Sequence, residues 1–192
     1  SMPEYLHPGA YVEEIPSGSR TIEGVATSIT AIVGDTPRGH VNEAFLITSF
    51  SEYKNEFGDI KNEEDAMGFA VDAFFNNGGK KAYIVRVGKD GTDALAPDLN
   101  CYIHVIDNVL SKIHEIGIIL LPGKVWDKDD GKDILTHALS HAEKLANRMV
   151  IIDSDKSTVL TTENDAKNLN LPTTSYGAFY YPWLEVTNPF YK

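Results

Sequence analysis

Apolar positions recur along this chain with two different periods, and the switches between them lay out its elements. Val25 to Gly34, VATSITAIVG, and the shorter Phe45 to Thr48 are apolar and β-branched runs bounded by turn formers, and both predict strands. Between them lies the turn Gly34-Asp35-Thr36-Pro37-Arg38-Gly39. Ser49-Phe50-Ser51-Glu52 has the serine and the glutamate three residues on that make a capping box, which predicts a short helix through Phe57 stopping at Gly58. Asn62-Glu63-Glu64-Asp65 then places negative charge where a helix dipole favours it. Ala66, Phe69, Ala70, Ala73 and Phe74 follow at helical spacing until Asn76-Asn77-Gly78-Gly79 ends the run. Lys81 to Val87 predicts the next strand, followed by a Gly/Asp/Pro-rich loop to Pro97.

The second half keeps the same rhythm. Cys101 to Ile106 reads as a strand and Asp107 to Glu115 as a helix capped by Asp107. Ile116 to Leu121 is an unbroken apolar run of the kind buried on both faces, closed by Pro122-Gly123. A polar loop leads into a helix from Lys132 to Arg148, whose Ile134, Leu135, Ala138, Ala142, Leu145 and Met149 form one stripe. Val150 to Ile152 is then a second buried strand, completing a βαβ unit. A short helix near Glu163 to Leu169 and an aromatic strand from Tyr176 to Val186 follow. The fold class this predicts is α/β: a mostly parallel or mixed sheet with helices on its faces.

Ahead of the first strand, Pro8-Gly9 and Pro16-Ser17-Gly18 bracket a short β-prone segment containing Tyr11, Val12 and Ile15. Pro and Gly exclude a helix or a central strand there. The segment is an extended arm able to pair at a sheet edge, or a frayed terminus. The chain divides into an arm over residues 1–24 and an α/β core over 25–192.

Composition narrows the range of partners. Lys plus Arg number 17 against 28 Asp plus Glu in 192 residues, a formal net charge of −11, and no basic cluster offers a footing for phosphate backbones or anionic lipid. Nucleic acid and membrane insertion are therefore not expected; the longest apolar stretch falls far short of the roughly 20 residues a bilayer needs. With 42% hydrophobic residues the chain can bury a real core. The lone Cys101 forms no internal disulfide, which fits assembly in the cytoplasm.

Candidate chemistry is sparse. There is no GxxxxGK[ST], no GxGxxG between strand and helix, and no GxSxG. Arg38, in the Gly34–Gly39 loop, could hold an anion, but Pro37 removes a donor from any phosphate nest, and a plain turn is the simpler reading. His137 and His141 stand four apart on a predicted helix and could share a zinc ion. Ala138 stands where the zincin pattern needs glutamate, so a solvated face beside Lys144 and Arg148 is the competing reading. His104 and His114 fall in separate elements. Asp153, with Asp155 two residues on, follows a strand end where α/β sheets carry functional carboxylates, or simply caps a turn. Cys101 lies in an apolar segment and reads as a buried small hydrophobe. No catalytic residue, cofactor or metal is assigned.

The N-terminal run Pro8-Gly9-Ala10-Tyr11-Val12-Glu13-Glu14-Ile15-Pro16-Ser17-Gly18-Ser19-Arg20, continued by Ile22-Glu23-Gly24-Val25 and Ala31-Ile32-Val33-Gly34, resembles the start of contractile phage tail sheath proteins. Phe69 through Gly79 followed by Tyr83 to Val87, Leu121-Pro122-Gly123, and Tyr180-Tyr181-Pro182-Trp183 resemble later landmarks of that family. The segment from Gly88 to Asn100 is short where many sheath proteins carry an inserted domain. The chain also ends at Lys192, where the family continues into a C-terminal domain and arm, so a truncated sheath protein is expected, or a variant whose second half lies on another chain.

The resemblance implies a structural, non-enzymatic subunit that polymerises helically around an inner tube and contracts by reorienting. Tyr11, Val12, Glu13, Glu14 and Ile15 would be the arm that augments a neighbour's sheet. The implied partners are other sheath copies, the inner tube, and baseplate or terminator proteins; the implied location is the cytoplasm during assembly and then the tail of a phage or phage-tail-like particle. The alternative is an α/β enzyme or small-ligand-binding domain using the strand ends near Leu121 and Asp153.

Overall fold

Runs such as ITAIVG and IGIILL have no polar side to offer water, so they are stable only between two layers of other structure. The computed structural model describes residues 29–89, 96–153 and 177–180, Asp153 and the last four as backbone, and it has that arrangement. Strands β1 (Ile29–Gly34), β2 (Ala44–Ile47), β3 (Ala82–Arg86), β4 (Ile116–Val125), β5 (Met149–Asp153) and β6 (Gly177–Tyr180) form one sheet in the order β2-β3-β1-β4-β5-β6. Every pairing is parallel except that of the edge strand β2, which runs antiparallel to β3. The fold is α/β with a mixed sheet, as the hydrophobic pattern predicts.

Helices cover both faces. On one, α1 (Phe50–Phe57) and α2 (Ala66–Asn76) press Tyr53, Phe57, Met67, Ala70 and Val71 onto Ile32, Ile84 and Leu120. On the other, α3 (Leu99–Asn108) and α4 (Gly131–Leu145) bury Tyr102, Val105, Ile106, Ile134, Leu135 and Ala138 against Ala31, Val33, Val85, Ile119 and Val150. Adjacent residues of β1, Ile32 and Val33, serve opposite cores, as the two-residue period of a strand requires.

Several elements differ from their sequence reading. Cys101 to Ile106 is helix, not strand: the Asp98 carboxylate accepts from the Cys101 N–H at 3.1 Å, and Cys101, Tyr102, Val105 and Ile106 form one buried stripe. The helix expected over Asp107 to Glu115 is the end of α3 followed by a single 3₁₀ turn, Leu110–Lys112. Pro122-Gly123 does not close β4, which continues to Val125 through a shift of register between Leu120 and Val125; proline is tolerated where the ladder is interrupted. The capping box is half formed. Ser49 accepts from the Glu52 N–H at 3.1 Å, but the Glu52 carboxylate takes its bond from the Thr48 hydroxyl.

Helix α4 starts at Gly131, where any side chain would overlap the Val125 carbonyl, and ends at Leu145 with Ala146 in the left-handed region at φ 57°. Arg148 therefore lies beyond the helix and is fully buried rather than on a polar face. The arm over residues 1–24, Val25 to Ser28, the helix near Glu163 to Leu169 and most of the aromatic segment lie outside the described residues.

Candidate functional site

The route of the chain through the sheet creates a gap. From β1 it passes under α1 and α2 to β3 on one side; from β3 it crosses by α3 on the opposite face to β4 on the other side of β1. Connections that leave a central strand in opposite directions open a crevice at the carboxyl ends of the strands. A cleft of about 520 Å³ lies there, walled by Asp35, Thr36 and Pro37 after β1, by Lys61, Asn62 and Glu64 to Met67 leading into α2, by Ala96, Pro97 and Tyr102 of α3 and its approach, and by Pro122, Gly123 and Lys124 of β4. Gly123 stands at φ 82°, a backbone conformation that disfavours a side chain.

The polar groups of the cleft are unevenly satisfied. Asp65 caps α2, its Oδ1 accepting from the Gly68 N–H at 2.9 Å, while its Oδ2 is buried with no hydrogen-bond partner among the described residues. Burial raises the Asp65 carboxyl above its ordinary pKa, and the nearby Asp35 charge adds to the rise. Asp35 is raised as well, by burial first, against the pull of Arg86 and Lys124. Lys124 extends its Nζ to Asp130 Oδ1 at 2.9 Å and lies 4.9 Å from the centre of the Tyr102 ring. The Tyr102 phenol is pushed up by burial and by the charges of Asp35 and Asp130. Behind the cleft, the buried Tyr53 hydroxyl also has no partner among the described residues, and it is pushed up by burial and by Asp65.

The residues singled out in the sequence are placed elsewhere. Arg38 donates to the Lys54 and Asn55 carbonyls at 3.0 and 2.9 Å, closing the end of α1. His137 pairs with Asp107 at 2.8 Å, and His141 lies 3.3 Å from Arg148, so the two imidazoles serve different partners. Among the described residues no group of three or more His, Cys, Asp or Glu could hold a metal. His104 sits beside Asn108 on α3, and Cys101 is buried, its thiol raised chiefly by that burial.

Leu121 faces the α3/α4 core rather than the cleft, although the three residues after it form a wall; Asp153 ends β5, where its backbone pairs with Val125 and Tyr180. The crevice is thus at β1 and β4, not at β4 and β5. Asp35, directly after the first predicted strand, was the available signal; Tyr102 and Lys124 gave none. Tyr11 to Ile15 lie outside the described residues.

No protein-family model and no curated protein matches the chain. Solved structures do. A chain of the anti-feeding prophage helical sheath in its contracted state aligns at TM-score 0.53 and 18% identity, over 91% of this chain and 44% of that one. A chain of the anti-feeding prophage baseplate in its contracted state aligns at TM-score 0.54 and 17% identity, over 88% of this chain and 45% of that one. The chain spans less than half the length of either, and at such identity what is shared is the fold: an α/β domain also found in components of a contractile, phage-tail-like particle.

Proposed function

We propose that this chain is the α/β portion of a contractile sheath subunit, a structural protein that polymerises helically around an inner tube and reorients as a rigid body when the particle contracts. The observation that carries this reading is the fold likeness to a helical sheath over nine-tenths of the chain. The resemblance of the Pro8 to Arg20 run points the same way. In this reading residues 1–24 are the arm, and Tyr11, Val12, Glu13, Glu14 and Ile15 add a strand to a neighbour's sheet. Such head-to-tail pairing generates an open helical array. The partners are further copies, the inner tube, and baseplate or terminator proteins, with assembly in the cytoplasm before the finished particle forms.

The test is microscopic. Antibodies against this chain, applied to particles produced from its own gene cluster, are expected to decorate the outer wall along its whole length. Label confined to one end would assign the chain to a baseplate, and particles without label would overturn the reading. Deleting Tyr5 to Arg20 is expected to leave unsheathed tubes; sheaths of normal length would remove the arm from the proposal.

A further inference from the structure

The amino end of the sheet is held by one buried cation. Arg148 Nη1 and Nη2 donate to the Leu110 and Ile113 carbonyls at 2.8 Å each and Nε to the Asn147 side chain at 3.0 Å, and Nη1 also stands 3.3 Å from His141 Nε2. A guanidinium only donates, so Nε2 is the accepting nitrogen of the imidazole and the ring proton sits on Nδ1. A proton added to Nε2 removes that acceptor and sets a second cation against one already out of water. Of the charged groups that act on His141, Arg148, His137 and Lys144 oppose the added charge and Asp107 favours it, but the Asp107 carboxylate is already engaged by His137 at 2.8 Å. Burial, ahead of all of these, keeps the ring neutral and lowers its pKa from 6.5 to about 4.

What Arg148 holds is the connection from α3 to β4. Leu110 and Ile116 are fully buried, whereas Ser111 to Glu115 between them are half-buried or exposed. The connection's own backbone bonds are long, 3.2 Å from the Ile113 N–H to Leu110 and 3.5 Å from the Ile116 N–H to Ile113. Its far end bears on β1, because the Ile29 N–H donates to the Glu115 carbonyl at 2.9 Å; the Tyr83 hydroxyl donates to the Glu115 carboxylate as a further tether. We propose that His141 is an acid-operated latch: once protonated at Nε2 it pushes the Arg148 guanidinium off the Leu110 and Ile113 carbonyls, and Ser111 to Glu115 come away and loosen the first residue of β1. A proton on His137 adds charge to its bond with Asp107, so the same acid tightens α3 on α4 and confines the opening to the connection. The inference rests on the Arg148 cluster and not on the sheath reading, so either can fail without the other.

Two measurements on the full chain test this. Long-range proton–nitrogen NMR spectra at pH 7 are expected to show His141 in its Nδ1-protonated tautomer; a ring protonated at Nε2 overturns the proposal outright. Amide exchange, corrected for the intrinsic rate at each pH, is expected to show the Ile29 and Ile113 N–H groups losing at least about tenfold in protection between pH 7 and pH 4.5, while Ile84 and Val85 in β3 keep theirs. That is the direction required of a group whose pKa lies at about 4 in the closed state and returns to 6.5 in the open one. His141→Gln keeps a side-chain acceptor for Arg148 but takes up no proton, so it should hold the protection of Ile29 and Ile113 at pH 4.5. A loss equal to that of the parent chain traces the opening to Glu115 or another carboxyl and overturns the latch. Protection falling at Ile84 and Val85 in step with Ile29 and Ile113 is global unfolding, and overturns it as well.

Discussion

The two ends of the sheet treat buried polar groups in opposite ways. At the amino end, Arg148 is fully buried and fully engaged, donating to the Leu110 and Ile113 carbonyls at 2.8 Å each and to the Asn147 side chain at 3.0 Å, with His141 Nε2 at 3.3 Å. It ties the turn after α3 to the start of β5. At the carboxyl end, the Asp65 Oδ2 and the Tyr53 hydroxyl are buried without hydrogen-bond partners among the described residues. A satisfied buried network rigidifies, whereas an unsatisfied one costs stability and persists where something other than stability is served. The amino end is a lock and the carboxyl end a receptacle.

That contrast can be broken by substitution. Arg148→Ala should be the most damaging change, leaving the Leu110 and Ile113 carbonyls unpaired beside a cavity; a loss of about 3 kcal/mol, or roughly 10 °C in Tm, is expected from urea and thermal unfolding. A loss under about 1 kcal/mol would mean the lock is not one.

Acid titration sharpens the comparison, because the ends respond with opposite sign. His141 is lowered from 6.5 to about 4 by burial first and by Arg148 next, so it stays neutral and can accept from the guanidinium. Its folded pKa is depressed, so its contribution is present above pH 6.5 and is lost as pH falls towards 4. The urea midpoint should decline over that window, and less so in His141→Gln. Asp65 is raised, so its carboxyl favours folding below its unfolded pKa and loses that contribution as pH rises. Asp65→Asn, which keeps a cap on α2, should therefore raise the midpoint at pH 7 and lose its advantage near pH 3. The smallest effect belongs to Tyr102→Phe, which removes a hydroxyl with no hydrogen-bond partner among the described residues and should shift stability by no more than about 0.5 kcal/mol.

The same two ends show where sequence reading succeeds. Ile134, Leu135, Ala138 and Ala142 of α4 and the apolar runs of β1 and β4 are legible because each follows a local period with one outcome, whereas Leu145 is exposed and Met149 belongs to β5. Cys101 to Ile106 is not legible, since a six-residue segment with only His104 to break its apolar run suits strand or helix, and the deciding contact is the Asp98 cap just before it. Arg148 follows a polar stretch of helix and reads as surface; only the fold brings Leu110 and Ile113 carbonyls around it. The cleft is assembled from four separated segments, so Asp35 is visible after a strand while Tyr102 and Lys124 acquire meaning only through topology.

One consequence of the strand order is mechanical. Whatever precedes Ile29 joins β1, which is not an edge strand but lies between β3 and β4, in register with Ala82 to Arg86 on one side and with Ile116 to Leu120 on the other. A pull on the N-terminal segment acts along β1 and must slide it between two parallel neighbours. The hydrogen bonds of both ladders then carry the load together in shear instead of opening one after another, so the segment is moored at the strongest line of the sheet.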